Sequence, residues 1–277
     1  MAVHLPAALT KSRPARWLVT AALGVATLGM LSRYVVMPLL FWRRAESCER
    51  PEYAVVGSLS GQTLHGSKVA VELRRYESYL VAEVRVPEGL SKEEQQQVGF
   101  GQVARYIFGD NLRRRSGPLG RYFTVSEPEA IAMTAPVRQE LAPAVQMSMH
   151  EELSETALVS FTMPSKYQAL YQLPVPKNSN VTLRVEPAHY SAAVGFRGPP
   201  PSAAKIAELR AAMNMAIENA GLEAEEERGM LVYQYHDPFA TPNLLRWNEL
   251  VIFLKPDGLK AIVPEPAQAV SAEKDES

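Results

Sequence analysis

Few residues of this chain combine the types and spacings that catalysis or metal binding would need. The five histidines and the single cysteine are His4, His65, His150, His189, His236 and Cys48. One cysteine excludes an intramolecular disulfide and any zinc site built from cysteine pairs. The sequence also shows no cluster of metal-ligand residues and no nucleophile with a neighbouring base. We therefore predict that the protein is not an enzyme that works with a bound metal or with a nucleophile and a neighbouring base.

One carboxylate lies where burial would change its chemistry. Glu249 is the central residue of WNELV (247–251), in a predicted strand with apolar neighbours. A desolvated carboxylate there would have a raised pKa, and could act as an acid or as the counter-charge of a cationic ligand. The alternative is a structural ion pair with Arg74, Arg184 or Arg246, which explains the residue without chemistry.

Charge is unevenly distributed along the chain. Residues 1–48 hold six basic residues and one acidic residue; removing them from the totals of 29 and 30 leaves 23 basic and 29 acidic residues. A body with an acidic excess is poorly suited to neutralising phosphates. We therefore do not expect nucleic acid as a partner.

The N-terminal region predicts contact with a membrane. After a basic segment (1–16), residues 17–31 carry no charge, and a second apolar run follows at 35–42. The first run is shorter than the roughly 20 residues that cross a bilayer. Residues 17–42 together can span it if Arg33 snorkels to an interface. We predict a single-pass anchor over 17–42, with its orientation open, because basic residues flank both ends. A cleaved signal sequence that exports the body is the alternative.

The body reads as short strands and two helices. Alternating apolar residues predict strands near 53–59, 69–74, 80–86, 145–150, 157–163, 229–235 and 248–255. Helices are predicted from the capping box at 91–94 to about 108, and from 202 to about 220. The short RYES segment (75–78) joins two strands as a hairpin or as the bend of one long strand. Residues 43–52 are predicted as a linker, and 257–277 as a disordered tail.

The body also contains an internal repeat. VELRRYESYLVAEV (71–84) aligns with VTLRVEPAHYSAAV (181–194) without a gap. Each copy belongs to a half made of strands, a helix and further strands. This duplication predicts a pseudo-twofold α+β domain over 53–256, with both helices on one sheet system.

The motifs resemble those of the SOUL haem-binding-protein family. IAMTAPV (131–137) matches the family signature, and further matches come in family order: ELRRYESYLVAEV (72–84), FTMPSKY (161–167), VGFRG (194–198) and RWNELVIFLK (246–255). The resemblance covers about residues 53–256. It implies two βαββ units that form a distorted barrel-like antiparallel sheet with two helices.

The resemblance further implies that haem or another tetrapyrrole is bound as a ligand in a hydrophobic cleft. The cleft would lie between the first helix (98–108) and the loop before the last strand (235–245). The candidate ligand-binding residues are Phe100, Val103, Arg105, Tyr106, Tyr235, His236 and Phe239. Several of them, Val103 and Tyr106 included, could instead be core residues, while Arg105 could pair with a propionate.

Iron coordination is left open by the sequence. His236 is the one histidine in the expected cleft and is the axial candidate; a solvent-facing loop residue is the alternative. Arg75 stands where some relatives have a proposed histidine ligand. Without an axial ligand, affinity would rest on apolar burial and on pairing with the propionates.

The signature itself has an architectural interpretation. IAMTAPV alternates like a strand, and Pro136, which lacks an N–H, belongs at a strand end. Because it carries no group for chemistry at neutral pH, we predict a structural role, with Thr134 satisfying a backbone group. A wall of the cleft is the alternative.

Three functions remain from the sequence. The first is a membrane-anchored carrier, buffer or sensor of haem or a related tetrapyrrole. The second is a small-molecule effector-binding or hydrolase domain centred on Glu249, suggested by the similar duplicated architecture of gyrase-inhibitor-like effector-binding domains. The third is an anchored scaffold without a ligand, which would use an exposed apolar patch.

Overall fold

A computed structural model describes residues 32–87, 89–90, 92–115, 123–125, 127–141, 156–237 and 240–259. The predictions for residues 1–31, for the strand at 145–150, for Phe239 and for the tail beyond residue 259 lie outside them. The helices are α1 (Met37–Glu46, after a π-helical turn at Ser32–Val36), α2 (Lys92–Ile107), α3 (Ala203–Asn219) and α4 (Pro256–Leu259). Among the described helices, none has both the length and the apolar character to span a membrane.

Within the described residues, nine of the eleven strands form one antiparallel sheet. The strands are β1 (Tyr53–Gln62), β2 (Lys68–Tyr76), β3 (Tyr79–Arg85), β4 (Asn111–Leu112), β5 (Val137–Leu141), β6 (Thr156–Thr162), β7 (Val175–Pro176), β8 (Val181–Glu186), β9 (His189–Arg197), β10 (Leu231–Gln234) and β11 (Trp247–Leu254). The order in the large sheet is β1-β2-β9-β11-β10-β5-β6-β3-β8, while β4 and β7 pair separately. The sheet is distorted and barrel-like but not closed, because β1 and β8 remain as edges. The predicted fold class is confirmed.

The internal repeat explains the centre of this sheet. β2 pairs with β9 and β3 pairs with β8, so each copy of the repeat lies against the other. Tyr76 is opposite His189 and Tyr79 is opposite Glu186, which keeps one register through both ladders. Residues 71–85 are therefore a bent long segment, not a hairpin. This arrangement gives the pseudo-twofold relation that the duplication predicted.

The two long helices cover the outer face of the sheet. α3 begins at Ser202, whose side chain accepts a hydrogen bond from the Lys205 backbone N–H, and it ends before Gly221, which has φ +70°. Its buried residues Ile206, Leu209, Met213 and Ile217 pack on β2, β9 and β11. Each buried aliphatic side chain stabilises the fold by roughly 1.5–3 kcal/mol. α2 packs in the same way on β3, β6 and β8.

The inner face of the sheet is polar although it is buried. Directly opposed residues share a face, and one row crosses five strands, from Glu249 through Tyr233, Arg138 and Ser160 to Glu83. Arg138 is fully buried, and its guanidinium donates to the Glu186 carboxylate over 2.7 Å. Buried charges are tolerated when they are paired in this way. The two larger apolar clusters therefore lie outside the sheet, and on its concave side ion pairs and tyrosines stand beside a smaller apolar cluster that includes Leu231, Val251 and Phe253.

Candidate functional site

An apolar cleft of about 260 Å³ opens beside α2, at the ends of β5 and β10. Five aromatic side chains line it: Phe41, Phe100, Phe108, Phe161 and Tyr235. The cleft thus lies between the two segments that the family resemblance implied, the first helix and the loop before the last strand. Its floor is the outer face of β5 and β6, to which Val137 and Gln139 contribute.

α2 contributes a different set of residues from the predicted one. Phe100 and Phe108 line the cleft along one edge of the buried helix face. Val103 and Tyr106 are core residues instead, because this side of α2 packs on the sheet, and the Tyr106 hydroxyl donates to the Pro174 carbonyl oxygen over 2.9 Å. Arg105 is exposed and does not line the cleft, so its predicted pairing with a propionate has no support here.

The outer wall of the cleft comes from the N-terminal side of the domain. Phe41 and Arg44 on α1, and Cys48 just after it, line the cleft. The segment that follows α1 is fastened to the signature motif, because Glu49 forms a parallel bridge with Thr134 and its carbonyl oxygen accepts the Ala135 N–H over 2.9 Å. We call residues 48–52 the strap. Residues 43–52 are thus a wall and a fastening of the cleft.

The signature motif has both of the roles considered from the sequence. Thr134 donates its hydroxyl to the Thr162 carbonyl oxygen over 2.6 Å, as the architectural interpretation predicted. Met133, Thr134 and Ala135 also line the cleft. Only Val137 of the motif belongs to a ladder, because β5 starts after Pro136. The motif is therefore an irregular segment between the strap and the sheet.

His236 lies in the cleft wall, but both of its ring nitrogens are engaged. Its side chain is 1% exposed, so the solvent-facing alternative is wrong. Nδ1 accepts the Trp247 backbone N–H over 3.1 Å, and Nε2 is 3.1 Å from the Glu46 carboxylate on α1. Nε2 must therefore carry the proton and donate. Burial lowers the pKa of His236, against the opposing charge of Glu46, which favours this neutral tautomer.

Two sulfur atoms join His236 as potential iron ligands in the cleft. Cys48 and Met133 both line it, and haem iron accepts thiolate and thioether ligands in other proteins. Burial raises the pKa of the Cys48 thiol, although the charges of Arg44 and Arg50 oppose this shift. Cys48 is therefore a thiol at neutral pH in the absence of a metal.

Glu249 is a structural ion-pair partner. Arg74 donates to both of its carboxylate oxygens, over 2.7 and 2.9 Å, and Tyr235 and Trp247 donate to it as well. Burial alone would raise the pKa of Glu249, but the hydrogen bonds and charge of Arg74 outweigh it and leave the pKa lowered. Of the two roles left open by the sequence, the pair with Arg74 is the one formed. Tyr235 links this pair to the cleft, which its ring lines.

Sequence reasoning missed most of the cleft for a physical reason. Phe108 had a signal, because it lies two helical turns after Phe100. Nothing in the sequence indicated Arg44 or Cys48, because these residues reach the cleft only through the tertiary contacts of α1 and the strap. Phe239 lies outside the described residues, so its predicted contact stays a prediction.

The family of this chain is given by one comparison with known proteins, the scan against family models. The family model described as SOUL heme-binding protein matches residues 48–253, which is most of the chain and includes the strap. No curated protein matches the sequence.

Solved structures with a similar arrangement share little sequence. An uncharacterized conserved protein from Listeria innocua is 12% identical, with a TM-score of 0.42, over 77% of this chain and 96% of its own. A hydrolase from Listeria innocua is 12% identical, with a TM-score of 0.38, over 77% and 96% of the two chains. The EcmrR C-terminal domain is 14% identical, with a TM-score of 0.38, over 67% and 96%.

Proposed function

We propose, from the premise that this chain belongs to the SOUL heme-binding protein family, that it binds haem or a related tetrapyrrole in the cleft beside α2. It would act as a carrier, buffer or sensor and not as a catalyst. The observation that carries this proposal is an aromatic cleft in whose described lining Arg44 is the one arginine, while the carboxylate of Asp237 accepts the Ala240 N–H. That pattern suits a flat apolar ring that bears carboxylates.

The lining residues would hold a tetrapyrrole in two ways. Phe100, Phe108 and Phe161 offer apolar and aromatic surface against which a macrocycle can be buried. Arg44 would pair with a propionate, because a guanidinium matches a carboxylate in geometry and charge. Arg44 thus takes the role that the sequence had given to Arg105.

The volume of the cleft bears on whether α1 moves when a ligand binds. At about 260 Å³ the cleft is slightly smaller than the roughly 300–1,000 Å³ typical of ligand sites. A tetrapyrrole would therefore be only partly enclosed, or α1 would move outward to admit it. The Glu46–His236 contact would then open, which would free His236 Nε2.

Iron, when a haem is bound, would supply a Lewis-acidic centre that can take an axial ligand. Cys48, Met133 and His236 are the residues of the cleft wall with the donor chemistry for this role. His236 must first give up its contact with Glu46, so we expect apolar burial and the Arg44 pairing to supply most of the affinity.

We also propose that residues 17–42 attach the domain to a membrane. Between Val36 and Phe41, five large apolar residues are 39–54% exposed: Val36, Met37, Leu39, Leu40 and Phe41. Exposed apolar side chains followed by Arg43 and Arg44 suit the interface between lipid and water. The membrane-embedded part would then end near the start of α1. Extraction of membranes with alkaline carbonate tests this proposal, since an attached protein stays in the pellet and release of the full-length chain would contradict it.

A haem titration of the full-length protein tests ligand binding. We expect a saturable change in Soret absorbance that Phe100→Ala weakens. Arg44→Gln should weaken binding by about threefold to tenfold, as expected for loss of one partly exposed charge-assisted contact. Arg43→Gln is the matched control, because Arg43 carries the same charge on α1 but does not line the cleft.

The same titration can fail in informative ways. Absence of saturable binding by a folded protein would reject the proposed function. Equal effects of Arg43→Gln and Arg44→Gln would reject the cleft as the location. Spectra of Cys48→Ser, Met133→Leu and His236→Ala test which residue coordinates iron, because replacing an iron ligand changes the ligation of the iron and with it the shape and position of the Soret band.

A further inference from the structure

A second groove lies on the other side of the strap. It has a volume of about 780 Å³ and runs between the strap, the start of β3 and the segment 162–171. Thr134 lines both the groove and the cleft, so the strap and the signature motif divide them. The function proposed above makes no use of this groove.

The charge around the groove is negative. Its only ionised residues are Glu49, Arg50, Glu52 and Glu77 among those described. Arg50 lines the groove, but its charge is already engaged, because its guanidinium pairs with Glu46 over 2.8 Å and lies 4.8 Å from the centre of the Tyr235 ring. Three carboxylates therefore line the groove against one arginine, and that arginine is paired with a carboxylate outside the groove.

The three carboxylates differ in the hydrogen bonds and ion pairs that they already make. Glu49 accepts the Ser165 backbone N–H over 2.6 Å, which fastens the strap to the far wall. Glu77 has a looser contact of 3.4 Å with Arg75 and is 76% exposed. For Glu52 no ion pair is formed within the described part of the chain. Glu52 and Glu77 are thus the two carboxylates that a ligand can engage.

The floor of the groove combines apolar surface with a buried hydroxyl that lacks a partner. Leu80, Met163 and Leu170 give the groove an apolar side, and Tyr171, 53% exposed, offers an aromatic ring. Thr162 is 4% exposed, and its Oγ1 makes no hydrogen bond. A buried hydroxyl without a partner costs about 1–3 kcal/mol, so such groups normally meet water or a ligand.

We infer that this groove binds a small organic cation that has an apolar or aromatic body and an N–H donor. The carboxylates of Glu52 and Glu77 would attract the cation, and the ring of Tyr171 would stack on its body or its charge. The unpartnered Thr162 hydroxyl would accept the N–H. An anion would meet the same carboxylates unfavourably, so the groove discriminates by charge against the carboxylate-bearing ligands that the cleft accepts.

Three indole ligands with different charges test this inference on the full-length protein. Tryptamine is a cation, tryptophol is neutral and indole-3-propionate is an anion, while the ring is the same in all three. Binding measured by NMR chemical shifts or calorimetry should rank tryptamine first and indole-3-propionate last. The preference for tryptamine should also shrink as salt is added.

Groove variants locate the binding. Glu52→Gln with Glu77→Gln should weaken tryptamine by about fivefold to tenfold, as expected for two exposed charge contacts, and leave tryptophol unchanged. Thr162→Val keeps the shape of the side chain. It should weaken the binding of tryptamine and tryptophol, the two ligands whose ethyl chain ends in an N–H or O–H donor. Phe108→Ala, in the cleft wall, is the control and should change neither affinity.

Several results would overturn the inference. Equal affinity for tryptamine and tryptophol would show that the groove does not distinguish a cationic ligand from a neutral one. Loss of binding in Phe108→Ala, but not in the carboxylate variants, would place the ligand in the cleft. No binding of tryptamine at millimolar concentration by folded protein would leave the groove as a hydrated surface only. Haem binding is measured separately, so neither result depends on the other.

Discussion

The buried pair of Arg74 and Glu249 yields the sharpest test of whether this site is structural or catalytic. The side chains are 4% and 5% exposed, and two hydrogen bonds of 2.7 and 2.9 Å join them. The perturbations are Glu249→Gln, Arg74→Met and the double variant. Glutamine keeps the shape of the side chain and can still accept from Tyr235, but it removes the charge that balances Arg74.

The expected magnitudes follow from the contacts. Breaking a buried ion pair by removing one partner costs about 3–5 kcal/mol, because the other charge stays buried. Arg74 keeps a second partner, Glu72, at 2.7 Å, so we expect about 3 kcal/mol for Glu249→Gln. Arg74→Met strands the Glu249 carboxylate and should cost about the same. The double variant leaves neither charge buried without a partner, so it should cost less than either single variant and well below their sum.

Urea unfolding followed by circular dichroism measures these differences, provided that the slope of the transition is unchanged. Glu72→Gln is the control, since that side chain is 46% exposed and should cost under about 1 kcal/mol. Additive single and double effects would refute the coupling. A Glu249→Gln variant that kept full stability would refute the structural role. A substrate whose turnover that variant then abolished would support the hydrolase alternative.

Further predictions concern packing and pH. Gly99→Ala should destabilise the fold by about 1–3 kcal/mol in urea unfolding, because its Cβ would lie 2.5 Å from Val159 Cγ2. A Cβ at Gly101, in the same helix, would meet nothing within 4 Å, so Gly101→Ala should stabilise the fold by about 0.5–1 kcal/mol. Equal changes in stability for the two substitutions would contradict the packing of α2 on the sheet. Burial lowers the pKa of His189 to about 4, so the unfolded chain takes up its proton first as the pH falls. His189 should therefore contribute a drop in stability of about 2 kcal/mol between pH 7 and pH 5; His189→Asn should remove this part of the drop and leave the part that the lowered pKa of His236 causes.

The sheet could be predicted from the sequence because its strands alternate and its halves repeat. The copies at 71–84 and 181–194 carry the same apolar positions, and those positions are the ones that pair across the twofold. The pairing partners could not be predicted in the same way. Alternation says which face a side chain occupies but not which strand lies beside it, so a hairpin and a bent strand looked alike at 75–78.

The cleft was predicted less well than the fold, because it is built by contacts distant in sequence. The family resemblance assigned Phe100, Val103 and Tyr106 to the cleft, but the sequence alone does not say which side of α2 meets the sheet. The contact between Glu49 and Thr134 determines which residues form the opposite wall of the cleft. It lays the strap along the signature motif, and so turns Met133 and Ala135 from a structural segment into a wall.

The place of α1 has a consequence for how binding should be measured. Residues N-terminal to Glu49 supply Phe41, Arg44 and Cys48 to the cleft, and Glu46 accepts the hydrogen bond that Nε2 of His236 donates. A fragment that began at Glu49 would keep the sheet and both long helices but lose this wall. Its cleft would be wider and would lack the proposed carboxylate partner, and Nε2 of His236 would be free to bind iron. Under the proposed function, such a fragment should bind haem with a different affinity and spectrum, so α1 and the cleft have to be studied in one chain.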